Sequence, residues 1–521
     1  MAKRQQNTAT HVERSSNDDR WRPPPGQTEP AAVRTALPAP RSDAKWMSPT
    51  AQLAAISDGL GGRTGDPKRV IIAGAGIAGL AAADLLERAG HHVLLLEGQH
   101  RVGGRIYTVR DGLAPGLFAE MGAMRIPLNH ALTMAYVDRF GLHTAPFTMD
   151  NPKTWIYLQG SRTRREDFDP ADQRFDFHLG SQEKRLLPHE LLSQTLKPLL
   201  SSVKRARNKA KAWEEIVQKH DHFSLGSFLK DSGWSDGAIE MLGLLANVES
   251  RMNSSFVEFL HHEYDSTFSD MVYIKDGLDA LPNAFLRTLI NNIRFGAVLE
   301  EIWQFPSTVT AFYRTDGTLH RVEADYLIVT IPFSLMRHIR VRPPLTPRKA
   351  RAIRQVNYDA ASKVFMQFSR RFWEDDDGIY GGGTITDASI RNVFYPEHGR
   401  ETGRGVLLAS YTWGRDSTYL ATLPRPYLIQ LTLEHLADIH PDIERYYEGS
   451  LVHHWGLDPF AGGVGVLFEP NQTSNLFDDI VSPEDRIYFA GDHCSRFEKR
   501  WIQGALESAL QTARDVHNAK P

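Results

Sequence analysis

Three glycines at a fixed spacing are the residues of this 521-residue chain whose chemistry is most readily inferred. Gly74, Gly76 and Gly79 belong to the sequence G-A-G-I-A-G, which follows an apolar run. The first glycine permits a tight turn, the second lets the backbone approach a diphosphate, and the third lets a helix pack closely on a strand. Free N–H groups and the dipole at the start of that helix favour negative charge. The spacing therefore predicts a dinucleotide-binding turn.

Glu97 supplies the acid that such a turn requires. The apolar run at 69–73 predicts a buried strand, the apolar stripe over 77–89 predicts a helix, and 92–97 predicts a second strand. An acid at the end of the second strand, about 20 residues after the glycines, binds ribose hydroxyls. Two strands joined by a helix also imply a parallel sheet. The simpler alternative is a glycine turn in an α/β domain without a ligand.

Two further segments indicate which dinucleotide to expect. The sequence R-V-G-G-R at 101–105 follows Glu97, and R-I-Y-F-A-G-D at 486–492 lies near the other end of the chain. Both segments resemble the flavin amine oxidase family and occur in the family's order. In that family the arginine and glycines of the first segment lie against the diphosphate of FAD, and the acid of the second approaches the ribityl chain or diphosphate. The resemblance therefore implies FAD, with Asp492 in the role of that acid.

The cofactor contacts expected from the glycine turn and the resemblance form one set. They are Gly74, Gly76, Ile77, Ala78, Gly79, Glu97, Gly98, Arg101, Gly104, Arg105, Gly122, Ala123, Met124, Arg125, Val298, Gly491, Asp492, Trp501 and Ile502. Monoamine oxidases of the mitochondrial type attach their flavin through the cysteine of a G-G-C motif, and Val464 stands at that place here. Cys494, the single cysteine, lies elsewhere, so we expect the FAD to be bound non-covalently.

Arg125 is the candidate ligand for a substrate carboxylate. The segment E-M-G-A-M-R-I-P at 120–127 resembles L-amino acid oxidases, and that resemblance extends from about residue 68 to 519. In those enzymes the arginine of this segment binds the carboxylate of the substrate. A guanidinium offers two parallel donors to a carboxylate and stays charged at any working pH. The alternative is an ion pair at the surface or between lobes.

Four other side chains are expected near the reacting atoms. Tyr395, in V-F-Y-P at 393–396, matches a family tyrosine whose hydroxyl binds the same carboxylate. Lys363 matches a catalytic lysine that holds a water beside the flavin, and a lysine on an apolar strand needs a partner or a task. Trp455 and Trp501 match aromatic positions that wall the cavity over the flavin. The alternatives are a core tyrosine at 395 and a lysine that reaches solvent at 363.

The resemblance implies an oxidase that converts an L-amino acid and dioxygen to a 2-oxo acid, ammonia and hydrogen peroxide. Arg125 and Tyr395 would orient the reacting atoms by fixing the carboxylate. An L-amino acid 2-monooxygenase shares the fold and this clamp. An amine or polyamine oxidase shares the fold, but Gly465 replaces one aromatic residue of its substrate cage. A flavoprotein without catalytic activity is opposed by Lys363 and the two tryptophans.

Composition argues against several other classes of protein. The net charge of −3 lacks the basic excess of a nucleic-acid binder, and no apolar run is long enough to span a bilayer. With one cysteine and no secretory signal evident, we expect a cytoplasmic protein, and secretion by another route stays open. No metal is expected, because adjacent histidines at 91–92, 261–262 and 453–454 point in different directions. We also expect a homodimer or a higher homo-oligomer.

These residues must be positioned by a chain that leaves the nucleotide-binding lobe and returns to it. The expected class is α/β with α+β lobes: a Rossmann-type FAD-binding domain, a mixed-sheet substrate domain and a helical insertion, as in the amine oxidase fold. A polar, proline-rich start buries too little apolar surface to become ordered. The predicted division is a disordered or processed tail at 1–45, FAD-binding parts at 46–127, 266–345 and 451–521, substrate-domain parts at 128–164 and 346–450, and a helical domain at 165–265.

Overall fold

A computed structural model describes residues 46–62 and 64–520, and the tail predicted at 1–45 lies outside this part of the chain. None of the helices described is both long and apolar enough to cross a bilayer. The α-helices are α1 (Pro49–Asp58), α2 (Ile77–Arg88), α3 (Ala131–Phe140), α4 (Pro188–Arg205), α5 (Lys209–His220), α6 (Leu225–Asp231), α7 (Asp236–Leu245), α8 (Phe256–Tyr264), α9 (Ala280–Ala284), α10 (Leu286–Leu289), α11 (Phe333–Met336), α12 (Pro347–Gln355), α13 (Phe372–Asp375), α14 (Gly414–Leu420), α15 (Arg425–Ile439), α16 (Gln472–Val481) and α17 (Ile502–Asn518).

The strands of the described residues form six sheets. They are β1 (Arg69–Ala73), β2 (His92–Leu96), β3 (Thr108–Val109), β4 (Ala119–Glu120), β5 (Ile126–Pro127), β6 (Thr144–Phe147), β7 (Trp155–Leu158), β8 (Ser161–Arg164), β9 (Met271–Ile274), β10 (Ile293–Arg294), β11 (Val298–Gln304), β12 (Val309–Thr315), β13 (Thr318–Ala324), β14 (Tyr326–Val329), β15 (Arg340–Arg342), β16 (Tyr358–Asp359), β17 (Ala361–Phe368), β18 (Gly383–Thr386), β19 (Asn392–Phe394), β20 (Gly405–Trp413), β21 (Tyr447–His454), β22 (Gly465–Val466) and β23 (Ile487–Phe489).

The first lobe is built on a five-stranded parallel sheet in the order β10-β2-β1-β14-β23. Its central strand β1 is apolar on both sides, as a parallel sheet covered on both faces requires. Val70 and Ile72 pack against α2, α3 and α17 on one face. Ile71 packs on the other face, against the sheet β13-β12-β11-β15 and helices α12 and α16. The predicted strand-helix-strand unit is thus confirmed as the centre of this lobe.

The second lobe is a seven-stranded mixed sheet in the order β21-β17-β20-β19-β18-β7-β8. Its strands are antiparallel except for the pair β18 and β7. The side chains of β17 point alternately to the two faces of the sheet. Val364 and Met366 pack into a core with α13 and α15. Ala361 and Phe365 face the first lobe. Lys363 alternates with these last two residues, so strand geometry directs it toward the first lobe.

Helices α4 to α8 form a layer of their own. Leu196, Trp213, Leu242 and Leu260 share one core, and the layer rests on Ile156 of strand β7 in the mixed sheet. Helix α4, within the helical domain predicted at 165–265, starts with proline in its first turn, where a missing N–H costs nothing. The fold class predicted from the sequence is therefore found with its three layers.

The packing of three elements differs from the predicted division of the chain. Helix α3 belongs to the core of the first lobe through Leu132 and Tyr136, although it lies within the range 128–164. Helix α12 packs in the same lobe through Ala352, although it lies within 346–450. Strand β21 runs through the boundary predicted at 450. The pattern of an isolated element shows which face is apolar, but it does not show which sheet will cover that face.

Gly79 provides a test of close packing in the first lobe. A Cβ added at this position would lie 2.0 Å from the carbonyl oxygen of Gly74, so helix or turn must move. We expect Gly79→Ala to destabilise the fold by about 1–3 kcal/mol and to lower the thermal midpoint by several degrees. Gly449→Ala is the matched control, since an added Cβ meets no atom within 4 Å there. Equal melting temperatures for the two variants, measured by circular dichroism, would contradict this prediction.

Candidate active site

A cavity of about 1320 Å³ runs from the glycine turn to the mixed sheet and the helical layer. Its size exceeds the 300–1,000 Å³ typical of a small-ligand pocket, which leaves room for a dinucleotide and a small substrate together. The cavity contains most of the residues predicted to bind the cofactor. The predicted cofactor residues that line it are Gly74, Gly76, Ile77, Ala78, Glu97, Gly98, Gly104, Arg105, Gly122, Ala123, Met124, Arg125, Val298, Gly491, Asp492, Trp501 and Ile502.

The glycine turn forms a cradle at the start of helix α2. Gly74 has a φ of 102°, which a residue with a side chain rarely adopts. Gly76 is the N-cap of the helix, and a Cβ added there would meet no atom within 4 Å. The first N–H groups of a helix have no partner within it. The open space above these donors fits a diphosphate, whereas Gly79 packs against the strand and does not line the cavity.

Glu97 is buried at the end of β2 and fits the ribose-binding role. Its Oε2 accepts the N–H of Ala75 at 2.7 Å, and its Oε1 accepts the N–H of Gln99 at 2.8 Å. Burial raises the pKa of Glu97, although these two N–H groups and Arg101 act in the opposite direction. A carboxylate has about four acceptor sites, so sites remain for ribose hydroxyls.

An ion pair joins the two motifs that resembled the flavin family. Arg105 Nη1 lies 3.1 Å from Asp492 Oδ2, and a second, shorter contact joins Nη2 to Oδ1. Burial alone would raise the pKa of Asp492, but Arg105 and His493 hold it well below its usual range. Both charges therefore persist at the cavity wall, beside the open end of the turn.

Arg101 does not line the cavity, so the structure does not place it where a direct cofactor contact was predicted. Its Nη2 donates to the carbonyl of Gly104 at 2.8 Å, and its Nη1 donates to the carbonyls of Val102 and Ile106 at 3.3 Å. The guanidinium also lies 3.9 Å from the ring centre of Tyr107. Arg101 thus holds the shape of the glycine-rich loop from behind.

Helix α17 brings a second helix start to the cavity. Trp501 is its N-cap residue and Ile502 its first residue, and both line the cavity. The ring of Trp501 lies 5.3 Å from His130 and 5.8 Å from Phe268, both of which also line it. The predicted position of Trp501 in the cavity wall therefore agrees with the structure.

Lys363 lies one layer behind the cavity surface. Its Nζ donates to the carbonyls of Glu120 at 2.9 Å and Gly122 at 2.7 Å, and the sulfur of Met124 is 3.7 Å away. Burial lowers the pKa of Lys363 to about 7, although the carboxylate of Glu120 raises it. Gly122 and Met124 line the cavity, so the amine is separated from it by this segment. The predicted catalytic role of Lys363 stays a prediction.

Arg125 lines the cavity as a cation without a counter-ion. In the described residues, its guanidinium has neither a hydrogen-bond acceptor nor a carboxylate within 4.0 Å, and its Nη1 is buried without a partner. The guanidinium lies beside the rings of Phe147 and Phe394, whose centres are each 5.5 Å from Cζ. Burial lowers its pKa, yet an arginine keeps its charge in proteins. A buried unpaired charge is costly, so the position calls for an anion. The alternative of an ion pair is not observed.

Tyr395 does not line the cavity, so the structure does not place it where a ligand of the substrate carboxylate was predicted. Its hydroxyl is buried between Thr384 Oγ1 at 2.7 Å and His440 Nε2 at 2.8 Å. Phe394, one residue earlier in the chain, lines the cavity instead. Successive residues of an extended segment point to opposite sides, so a shift of one position exchanges the two side chains.

Trp455 is also absent from the cavity wall. Its Nε1 donates to the carbonyl of Met121 at 2.8 Å, and the ring is buried behind the segment that carries Arg125. Val464 does line the cavity at the position of a linking cysteine, whereas Cys494 is buried in the core of the first lobe. Of the two tryptophans predicted to wall the cavity, Trp501 lines it and Trp455 does not.

Several residues that line the cavity were not predicted from the sequence. Tyr411 and Trp413 on β20 continue the aromatic wall that begins at Phe394, with ring centres 5.0 Å apart from each other. Their alternation on a strand was a usable signal, because residues 411 and 413 share one face. Two more arginines, Arg251 and Arg500, also line the cavity and left no comparable signal.

The histidine pairs have partners other than a metal. His91 Nε2 lies 2.9 Å from His517, His262 Nδ1 lies 3.1 Å from Arg251, and His453 lies 3.4 Å from Asp458. Over residues 46–62 and 64–520, no three His, Cys, Asp or Glu side chains are grouped so that they would hold a metal ion.

Known proteins are similar to this chain in sequence and in fold. The model of the family described as flavin containing amine oxidoreductase matches residues 77–517. YobN of Bacillus subtilis (strain 168) is 36% identical over 87% of this chain and 95% of its own length. L-amino acid oxidase Bs29 of Bothriechis schlegelii is 33% identical over 88% of this chain and 91% of its own length.

Two solved structures share the fold at lower identity. Putrescine oxidase matches with a TM-score of 0.71 and 20% identity, over 87% of this chain and all of its own. Cyclohexylamine oxidase from Brevibacterium oxydans IH-35A matches with a TM-score of 0.69 and 18% identity, over 87% and 99%. The Arg105–Asp492 ion pair and the closing strand β23 lie within residues 77–517, the range that the family model matches, and the glycine turn ends inside it, at Gly79. This chain belongs to the flavin containing amine oxidoreductase family, which implies a flavin cofactor.

Proposed function

We propose that the chain is an FAD-dependent L-amino-acid oxidase that converts an L-amino acid, water and dioxygen to a 2-oxo acid, ammonia and hydrogen peroxide. The observation that carries this proposal is Arg125, which lines the cavity that also contains the dinucleotide turn. Its Nη1 is buried without a partner, and its guanidinium has no counter-ion among the described residues. An amino acid brings a carboxylate to that position, whereas an amine does not. Three relatives from Bothriechis, Lachesis and Crotalus are named L-amino acid oxidases, at 33% to 34% identity.

Different residues of the cavity would bind the cofactor and the substrate. The turn at Gly76, Glu97 and the Arg105–Asp492 pair would hold FAD, and bound flavin supplies the two-electron oxidation and transfers the electrons to dioxygen. Arg125 binds the α-carboxylate and so fixes the position of the α-carbon. Tyr411 replaces Tyr395 as the candidate second ligand, because it lines the cavity that contains Arg125. Burial raises the pKa of Tyr411 to about 12, with the charge of Arg125 opposing that shift, so the hydroxyl keeps its proton and can donate to a carboxylate.

Product analysis separates the two closest alternatives. A 2-monooxygenase would release an amide and carbon dioxide, and an amine oxidase would oxidise the decarboxylated substrate. Equal amounts of peroxide, ammonia and 2-oxo acid support the oxidase. A cytoplasmic location and a homo-oligomeric state remain proposals, which cell fractionation and light scattering of the purified protein would test.

Non-covalent FAD is expected because Val464 occupies the position of a linking cysteine. Acid or heat denaturation of the yellow protein should release the entire flavin into the supernatant as intact FAD, identified by mass. Flavin absorbance that stays with the precipitated polypeptide, or release of FMN alone, would contradict this expectation.

Arg125→Met should abolish recognition of the carboxylate while flavin binding persists. Loss of a hydrogen bond to a charged group costs about 1.5–3 kcal/mol, which corresponds to a fall in kcat/KM of roughly ten- to several-hundred-fold. The amine that corresponds to the best amino acid should be a poor substrate of the parent and should lose little more in the variant. Tyr395→Phe is the matched control and should keep its kcat/KM, since that hydroxyl lies outside the cavity. Unchanged amino acid turnover by Arg125→Met would favour amine oxidation.

The charge of Lys363 should accelerate the reaction with dioxygen. Its pKa of about 7 means that the charge is present below this pH and is lost above it, so kcat/KM for oxygen should fall as pH rises through about 7. Below that pH, kcat/KM for oxygen should be at least about tenfold lower in Lys363→Met than in the parent. In the variant it should not change as the pH rises through about 7. Anaerobic reduction by substrate should persist. Lys68→Met, which removes a lysine bound to carbonyls outside the cavity, is the control. If Lys363→Met had the same kcat/KM for oxygen as the parent, this role of Lys363 would be refuted.

A further inference from the structure

A second group of basic side chains lines the cavity that contains Arg125, and the roles assigned above do not use it. Arg251 ends a short helical turn before α8, His262 lies on α8, and Arg500 precedes Trp501. All three residues line the cavity. We call Arg251, His262 and Arg500 the basic subsite.

The positive charge of this subsite is only partly paired. Among the described residues, no carboxylate oxygen lies within 4.0 Å of the Arg251 guanidinium, whose Nε is buried without an acceptor. Arg500 has one contact with a carboxylate, at 3.5 Å from Asp359, and its Nη1 is buried without an acceptor. Of the two guanidiniums, only that of Arg500 therefore contacts a carboxylate among the described residues.

His262 offers the subsite a free hydrogen-bond donor, because its one acceptor nitrogen is already used by Arg251. A guanidinium can only donate, so His262 Nδ1 accepts from Arg251 Nη2 at 3.1 Å. The imidazole proton then resides on Nε2, which is buried without a partner. Burial and the neighbouring Arg251 and Arg500 hold the pKa of His262 well below its usual value, which keeps the ring neutral. Burial, followed by the charge of Arg500, also lowers the pKa of Arg251, to about 9.

Arg500 is held in an unusual backbone conformation. Its φ of 73° lies in the left-handed region, which a residue with a side chain rarely adopts and which is often found at functional sites. Its Cζ lies 5.2 Å from the ring of Trp413, which continues through Tyr411 to Phe394, the ring beside Arg125. The aromatic wall therefore connects the subsite to Arg125.

We infer that the substrate is an L-amino acid with an anionic side chain, whose α-carboxylate binds Arg125 and whose second carboxylate binds the basic subsite. This inference rests on the proposed oxidase function. Two separate cationic positions in one cavity match two carboxylates, and guanidiniums bind carboxylates through paired, charge-assisted hydrogen bonds. A second carboxylate would also relieve the repulsion between Arg251 and Arg500.

Glu263 is the acid that opposes this assignment. It follows His262 and lines the cavity, so it would attract a cationic side chain instead. Its carboxylate lies more than 4.0 Å from Arg251, and burial raises its pKa, with Arg251 opposing that shift. Two charged arginines outweigh one acid whose charge is disfavoured by burial. Lysine and arginine are therefore included among the test substrates.

Substrate preference gives the first test. Oxygen uptake by the holoenzyme is measured with L-glutamate and L-aspartate, with their amides L-glutamine and L-asparagine, and with L-leucine, L-lysine and L-arginine. We expect kcat/KM for the better acid to exceed that of its amide at least about tenfold. Greater activity with amides, leucine or a basic amino acid would overturn the inference and leave the oxidase function standing. Absence of turnover with every L-amino acid tested, these and the remaining proteinogenic ones, would overturn the function itself.

Charge removal gives the second test. Arg251→Gln and Arg500→Gln should each lower kcat/KM for the preferred acid roughly ten- to several-hundred-fold, with a change under about threefold for its amide. Arg251→Lys should recover part of the loss. Arg207→Gln, at an exposed arginine of the helical layer, is the matched control. Equal losses for acid and amide, in variants with normal flavin content and melting temperature, would make these arginines structural and overturn the inference.

Binding gives a readout that does not require turnover. Glutarate has two carboxylates, and pentanoate replaces one of them with a methyl group at the same chain length. Perturbation of the visible flavin spectrum should give a dissociation constant for glutarate at least about tenfold below that for pentanoate. Arg251→Gln should remove this difference. Equal affinities of the parent for the two acids would overturn the inference even if the arginine variants do not fold.

Discussion

The ion pair between the partly buried Arg105 and the buried Asp492 is the interaction on which the arrangement of the cavity depends. Its partners come from opposite ends of the sequence, so the pair forms only when β23 has joined the sheet next to β14. Two charges removed from water are costly unless their hydrogen bonds are well made, and here two N–H groups meet two carboxylate oxygens. The chain that follows Asp492 leads to the start of α17, and therefore to Trp501, which lines the same cavity as the glycine turn.

Patterns within one segment predicted the first lobe well. The alternation of a buried strand, a helix and a second strand, together with Gly74, Gly76 and Glu97, determines a local geometry that tertiary contacts do not alter. A local pattern cannot show that a strand far along the chain joins the same sheet. The resemblance of the motif at 486–492 to the flavin family gave that information. The fold class and the nucleotide end of the cavity were therefore accessible from sequence.

The substrate end was less accessible because its residues depend on strand register and on contacts between lobes. Tyr395 and Phe394 differ by one position, and only the structure shows which of them faces the cavity. Trp455 and Arg101 have the residue types of a binding site but turn to backbone carbonyls instead. Arg251 and Arg500 lie far apart in the sequence, and the folded chain makes them neighbours.

The strand order also has a consequence for how the chain is made. The central sheet receives β23 as its last strand, and α17 then covers α2, so the first lobe lacks both an edge strand and a covering helix until residues 487–518 have emerged. During synthesis on the ribosome the helical layer emerges first, the mixed sheet is completed by β21, and the nucleotide lobe is completed last. A message that terminated before β23 would therefore encode all strands of the mixed sheet and all of the helical layer but neither Asp492 nor Trp501, and the cavity would lack one wall.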